Sequence, residues 1–296
     1  MDILYQYLDN PDWRDKLVVK MDFLDKLNAA VDTNNSLACV GLDPNLDKLP
    51  KHLLNDKTPF FTFGKAIIDA TADLVCAFKP NSAFYEARGA VGIEELKQTC
   101  EYILQNYSNI PIILDYKRGD IDTTNSHYTK FAFDYLGVDA VTVQPYEGRK
   151  AFKPFLDRKD KGIIVLCRMS NEGADEFQEM LVDGRKLYLR VAEHVRDEWN
   201  TNKNCHLVVG ATVPAELAEV RQLIGDEMVF LVPGVGAQGG DLEATLKSGL
   251  NSKGRGLIIN SSRQILYASG GEDFAQVARQ AALGLRDEIN KYRGEN

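Results

Sequence analysis

The segment IPIILDYKRGDID, residues 110–122, runs apolar side chains directly into charge, with Asp115, Lys117, Arg118 and Asp120 inside six positions. A solvated turn accounts for charge in general. It does not account for Asp43 after SLACVGL or Lys79 near the end of LVCAFKP, where other apolar runs finish in the same manner. Carboxylates interleaved with lysines suit one kind of chemistry. A lysine flanked by carboxylates keeps its proton at neutral pH, because opposite charge favours the ammonium form. Such a group donates a proton or stabilises developing negative charge. It is a poor Schiff-base nucleophile, which needs desolvation or a neighbouring cation.

A second group lies late in the chain. FLVPGVGAQGGD, residues 230–241, contains a literal G-x-G-x-x-G, and NSSRQILYA, residues 260–268, places Arg263 at the mouth of a short helical pattern. As a dinucleotide fingerprint the glycine motif is weak, because it does not open an N-terminal βαβ unit. Backbone N–H groups beside a guanidinium make a phosphate grip instead, with Gly239 in the loop and the Gln238 amide bridging across it. A plain tight turn is the alternative for the glycines.

These groups need elements to hold them. Eight short apolar runs occur at 36–42, 74–80, 110–117, 139–145, 162–168, 206–212, 228–234 and 256–262. They are nearly continuous in hydrophobicity, as strands covered on both faces are. Helical periodicity separates them at 61–72, 92–107, 126–136, 184–199 and 214–224. No composition break or Pro/Ser-rich linker interrupts the alternation, which predicts one α/β domain over 1–296, a (β/α)8 TIM barrel. An open doubly wound sheet is the alternative. Residues 1–35 form an N-terminal helical extension, in which the amphipathic stretch 13–32 is placed to close the barrel bottom. Barrel strands run from about 36 to 262.

In that fold the C-terminal strand ends carry the active site. Asp43, Lys79, Asp115, Lys117, Gln144, Ser170, Thr212, Pro233 and Arg263 then lie on one rim. If strand geometry persists, Asp115 and Lys117 point to the same side and Tyr116 toward the helices. Asp120 falls in the loop beyond.

The bulk composition bounds the partners. A formal net charge of −8 over 296 residues weighs against a general nucleic-acid or anionic-membrane surface. Five cysteines without a CxxC pair fit a reducing compartment, and no apolar run is long enough to span a membrane. The acidic opening MDILYQYLDNPDWRDK is unlike a signal or transit peptide, so a cytoplasmic enzyme is expected. Mg²⁺ held by Asp115 and Asp120 is a second reading of the carboxylates, disfavoured by the interleaved lysines.

Several segments together resemble the orotidine 5'-phosphate decarboxylase family, in its longer bacterial form. They are CVGLDPN (39–45), FKPNSAFYE (78–86), LDYKRGDI (114–121), VTVQPYEG (141–148), CRMSN (167–171), LVVGAT (207–212), LVPGVGAQGGD (231–241) and INSSRQILYA (259–268). The D-x-K-x-x-D pattern alone also occurs in related Mg²⁺-dependent hexulose-phosphate synthases and ketogulonate-phosphate decarboxylases. The lysine of FKP and the late SSR make the resemblance more specific.

The resemblance implies a carboxy-lyase of de novo pyrimidine biosynthesis that forms UMP and CO2 from a small-molecule nucleotide, with no cofactor and no metal. It implies Lys117 as the proton donor to C6, Asp115 opposite the substrate carboxylate, and Lys79 at the ribose hydroxyl. Asp43 contacts the ribose or base edge, Ser170 the pyrimidine amide, and Gln238 and Arg263 the phosphate, while Pro233 walls the carboxylate pocket. It further implies a homodimer in which Asp120, with Ile121 and Thr124 nearby, reaches into the partner's site. The longer chain is accommodated mainly before Asp43 and around 171–204, with 169–177 and the glycine-rich loop as movers. A Mg²⁺-dependent sugar-phosphate lyase or synthase and a non-catalytic phospholigand-binding barrel are the competing functions.

Overall fold

Each of the eight apolar runs coincides, to within a residue at either end, with or encloses a strand in the computed structural model, which describes residues 21–235 and 239–294. The strands are β1 Ala38–Leu42, β2 Ala77–Pro80, β3 Ile113–Arg118, β4 Ala140–Val143, β5 Gly162–Arg168, β8 Cys205–Val209, β9 Phe230–Val232 and β10 Leu257–Ser261. The intervening β6 Leu181–Val182 and β7 Arg185–Lys186 form a separate antiparallel hairpin. The main sheet is ordered β2-β1-β10-β9-β8-β5-β4-β3, and its strand pairs are parallel. Isolated parallel bridges Phe78–Ile112 and Asn81–Asp115 join its two outer strands, closing the sheet into a barrel. Closure removes the unpaired edges that an open sheet would leave.

Burial on both faces explains the sequence pattern. Every residue of β1, β2, β4, β8 and β10 is buried, between the barrel interior and the helical shell. The helix Gly89–Asn106 turns Leu96, Cys100 and Ile103 inward, at the i, i+4, i+7 spacing of one helical face. Leu96 and Ile103 each contribute about 1.5–3 kcal/mol by leaving water.

The described part of the N-terminal extension is the helix Phe23–Asn34. The Asp22 side chain accepts from Asp25 N, and Asn35 ends the helix in the left-handed conformation. Phe23 packs on the His206 ring at 5.4 Å between centroids and fills the space beside Gly162, while Lys26 pairs with Asp139 at 2.8 Å. All three partners precede or begin barrel strands, so this helix covers the bottom of the barrel. Residues 13–20 of the predicted amphipathic stretch lie outside the described residues.

At the bottom of the barrel, His206 accepts from Val229 N through Nδ1, and its buried Nε2 has no partner among the described residues. Burial lowers its pKa to about 4. The folded state therefore favours neutral imidazole. Its contribution to stability is complete above about pH 6.5 and is lost as the pH falls toward 4, by at most about 3 kcal/mol. Urea unfolding at pH 7 and pH 5 should show a shallower loss for His206→Leu than for the parent; equal losses would refute this.

The predicted helix at 184–199 needs one correction. Its first residues belong to the hairpin, and the helix starts at Leu187. Asp183 and Gly184 both have positive φ, 51° and 74°, which is the two-residue turn that Asp-Gly favours.

Candidate active site

Asp115 is the centre of the charged rim. Its Oδ2 accepts from Lys79 Nζ at 3.0 Å, and its Oδ1 accepts from Lys117 Nζ at 2.5 Å and from Thr142 Oγ1 at 2.9 Å. The side chains of Asp115 and Lys79 are 11% and 3% exposed, against 41% for Lys117. Burial alone would raise the Asp115 pKa, but the charges of Lys79 and Lys117 overcome it and hold the carboxyl far below the usual range. For Lys79 burial opposes the charge, and Asp115 and Asp43 reverse the balance, leaving its pKa raised. The array is thus a buried ammonium, a carboxylate and a half-exposed ammonium in sequence. Below it, burial pushes the Cys39 thiol up to about 12, so this cysteine is no nucleophile at neutral pH.

Strand geometry does not persist through this segment, contrary to the simple alternation read from sequence. Leu114 pairs with Val141 and Arg118 with Val143, so β3 spends four steps where β4 spends two. The excess forms a bulge, within which Lys117 has φ 47°. Lys117 reaches Asp115 from this left-handed backbone rather than from a regular strand. Tyr116 does face outward, edge-on to Tyr128 of the helix Asp122–Thr129.

A cavity of about 470 Å³ opens over the array. Asp43, Lys79, Asp115, Lys117, Ser170, Pro233 and Arg263 all line it. Among the described residues, Asp43 Oδ1 is buried without a hydrogen-bond partner, as suits a group that meets a ligand. Val208, Leu231, Pro233 and Met169 make the opposite, apolar wall. Two glycines permit the close packing of this rim. A Cβ on Gly41 would lie 1.9 Å from Ser262 Oγ, and one on Gly210 would lie 2.6 Å from Ser170 Cβ.

Asp120, Ile121 and Thr124 do not line this cavity. Ile121 is 64% exposed, and Asp120 Oδ1 accepts from Ile121 N. Gly239 has φ 82° and does not line the cavity, whereas Gly234 does. Gln238 lies outside the described residues.

Sequence reading missed several lining groups: Thr142, Asn81, Asn260, Lys48 and Tyr267. Tyr267 donates to the Asp43 carbonyl oxygen at 2.8 Å, fixing the loop after β1. A short polar side chain inside an apolar strand, as in AVTV, is the signal by which Thr142 could have been found. The segment after β5 is also tethered. Arg168 Nη2 donates to Glu179 Oε1 at 2.7 Å, and Met169 N donates to Gln178 Oε1 at 2.8 Å.

Fold and site together define a barrel enzyme that works on a small anionic molecule by placing fixed charges at one end of an otherwise apolar cavity. The chain belongs to the orotidine 5'-phosphate decarboxylase / HUMPS family, whose pattern matches residues 36–280. It is 52% identical over 272 residues to the orotidine 5'-phosphate decarboxylase of Janthinobacterium sp. (strain Marseille), covering 92% of this chain and 99% of that one. Similarity to the enzyme of the same name from Ralstonia pickettii (strain 12J) is 52% over 273 residues, covering 92% and 100%. Among solved structures, Leishmania donovani OMP decarboxylase superposes with a TM-score of 0.81 at 38% identity, covering 93% of this chain and 100% of that chain. Among the described residues no helix is long and apolar enough to cross a membrane.

Proposed function

We propose that the chain converts orotidine 5'-phosphate to UMP and CO2, with Lys117 as the proton donor, in a single barrel domain. The Lys79–Asp115–Lys117 array facing an apolar wall is the observation that carries this reading. The bond from C6 to the carboxyl carbon breaks, its electron pair stays on C6 in an sp² orbital, and CO2 leaves. A proton from Lys117 Nζ then joins C6, and the lysine regains a proton from water. The ring delocalises the C6 charge poorly, so stabilisation must come from charges already in place. Two unit charges about 4 Å apart interact by about 4 kcal/mol at an effective dielectric of about 20, a size that matters to a barrier.

Asp115, Lys79 and Asp43 position the ammonium and the ribose, Ser170 meets the pyrimidine amide, and Pro233 walls the departing carboxylate. Arg263, with Gln238 and Gly239, holds the phosphate. Binding energy from that distant group supports closure of the loops over the base. A divalent ion beside Asp115 would face two ammonium groups, which disfavours the Mg²⁺-dependent alternative. Absorbance-monitored conversion of orotidine 5'-phosphate to UMP by the purified chain, unchanged by EDTA, is the expected result. Loss of activity on chelation, restored by Mg²⁺, would overturn it.

The active unit is a homodimer in which Asp120, Ile121 and Thr124 complete the partner's pocket. The exposure of Ile121, and the fact that none of the three lines its own cavity, support this. A mixture of Lys117→Ala and Asp120→Ala subunits, each inactive alone, should regain about a quarter of parental activity, since half the dimers are mixed and each holds one intact site. No recovery after subunit exchange would place Asp120 in its own site.

A further inference from the structure

We infer that Thr142 is a positioning residue for the proton donor: its hydroxyl holds Lys117 and Asp115 in register across the β3 bulge. The inference rests on the proposed role of Lys117. The bulge takes Lys117 out of the β-ladder and turns its backbone to φ 47°, so its N–H loses the partner that a regular parallel strand would supply. Lys117 N donates instead to Thr142 Oγ1 at 3.1 Å. The same oxygen donates its own proton to Asp115 Oδ1 at 2.9 Å, the carboxylate oxygen that also receives Lys117 Nζ at 2.5 Å. One hydroxyl therefore ties the backbone of the lysine to the carboxylate that orients the head of the same lysine.

The surroundings hold Thr142 in place for the task. Thr142 is 1% exposed and sits on β4 in register with Ile164 of β5, so its backbone is fixed by the ladder and its side chain is packed. A hydroxyl at this position can accept and donate at once, whereas valine of the same shape can do neither. Without it Lys117 N is left unpaired, and the left-handed conformation has no tether. The lysine then samples positions away from the reacting carbon, and misplacement of about 1 Å costs about 100-fold in rate.

Thr142→Val tests this, with Thr142→Ser as the variant that keeps the hydroxyl. Thr142→Val should lower kcat by about 10- to 100-fold, while the Kd for UMP stays within about threefold, because the phosphate grip is remote. Thr142→Ser should restore kcat to within about threefold of the parent. A structural role alone would lower the folded fraction, and kcat corrected for it would be unchanged; that result overturns the inference, as does equal loss in Thr142→Val and Thr142→Ser. Should Thr142→Val fail to fold, Thr142→Ala against Thr142→Ser makes the same comparison. Lys117→Ala is measured alongside: if it keeps parental kcat the proton-donor role itself falls, whereas a dead Lys117→Ala with a fully active Thr142→Val refutes only the role of Thr142.

Discussion

Lys117→Ala should lower kcat by at least about 10³-fold while leaving the fold intact, since removing both a general acid and a preorganised charge combines two effects of about 10²–10⁴ and 10²–10³. Stability should change little, for three reasons. The Lys117 side chain is 41% exposed, so its ion pair is screened by water. Asp115 keeps Lys79 and Thr142 as partners, so its buried carboxylate is not orphaned. Arg263 and the end of the cavity proposed for the phosphate are untouched, and UMP should still bind. Steady-state assays with orotidine 5'-phosphate, thermal unfolding and UMP titration separate these effects. Retention of more than a few per cent of kcat would remove Lys117 from its role.

The second large effect concerns Lys79. Lys79→Met should destabilise the chain by about 3–5 kcal/mol at pH 7, because it leaves a buried carboxylate without its main counter-charge. The side chains of the pair are 3% and 11% exposed, so solvent does little to compensate. The pH dependence follows from the two shifts. The Asp115 pKa is depressed in the folded state, so its contribution is present above about 3.9 and is lost as pH falls through the folded value. The Lys79 pKa is raised, so its contribution is complete below about 10.4 and is lost as pH rises through the folded value. The gap between parent and variant is therefore widest between these limits and narrows below about pH 4. Urea titrations across that range measure it. A gap under about 1 kcal/mol at pH 7, the size of an exposed pair, would show that the pair is not buried in solution.

Much of this molecule is legible in its residues. The barrel strands are recognisable because a parallel sheet covered on both faces leaves no solvent face to alternate with, so SLACVGL and GIIVLCR read as unbroken apolar runs. The rim charges are recognisable for the complementary reason that Asp43, Lys79 and Asp115 follow such runs at places where burial gives no reason for charge. The β6–β7 hairpin escaped notice although Asp183-Gly184 is a turn signal, because Leu181 and Val182 are exposed and too short to show periodicity.

Residue types and spacing by themselves pointed to the chemistry: two lysines and a carboxylate at adjacent strand ends, and the proposed phosphate grip after the seventh and eighth barrel strands. Only the tertiary structure decided how the lysine is aimed. Regular alternation predicts Lys117 on the Asp115 side of a straight strand, yet β3 bulges and Lys117 turns left-handed. That conformation depends on Thr142, 25 residues along the chain on the next strand. Local propensity cannot encode such a contact, because the hydroxyl meets the lysine backbone only once β3 and β4 have paired.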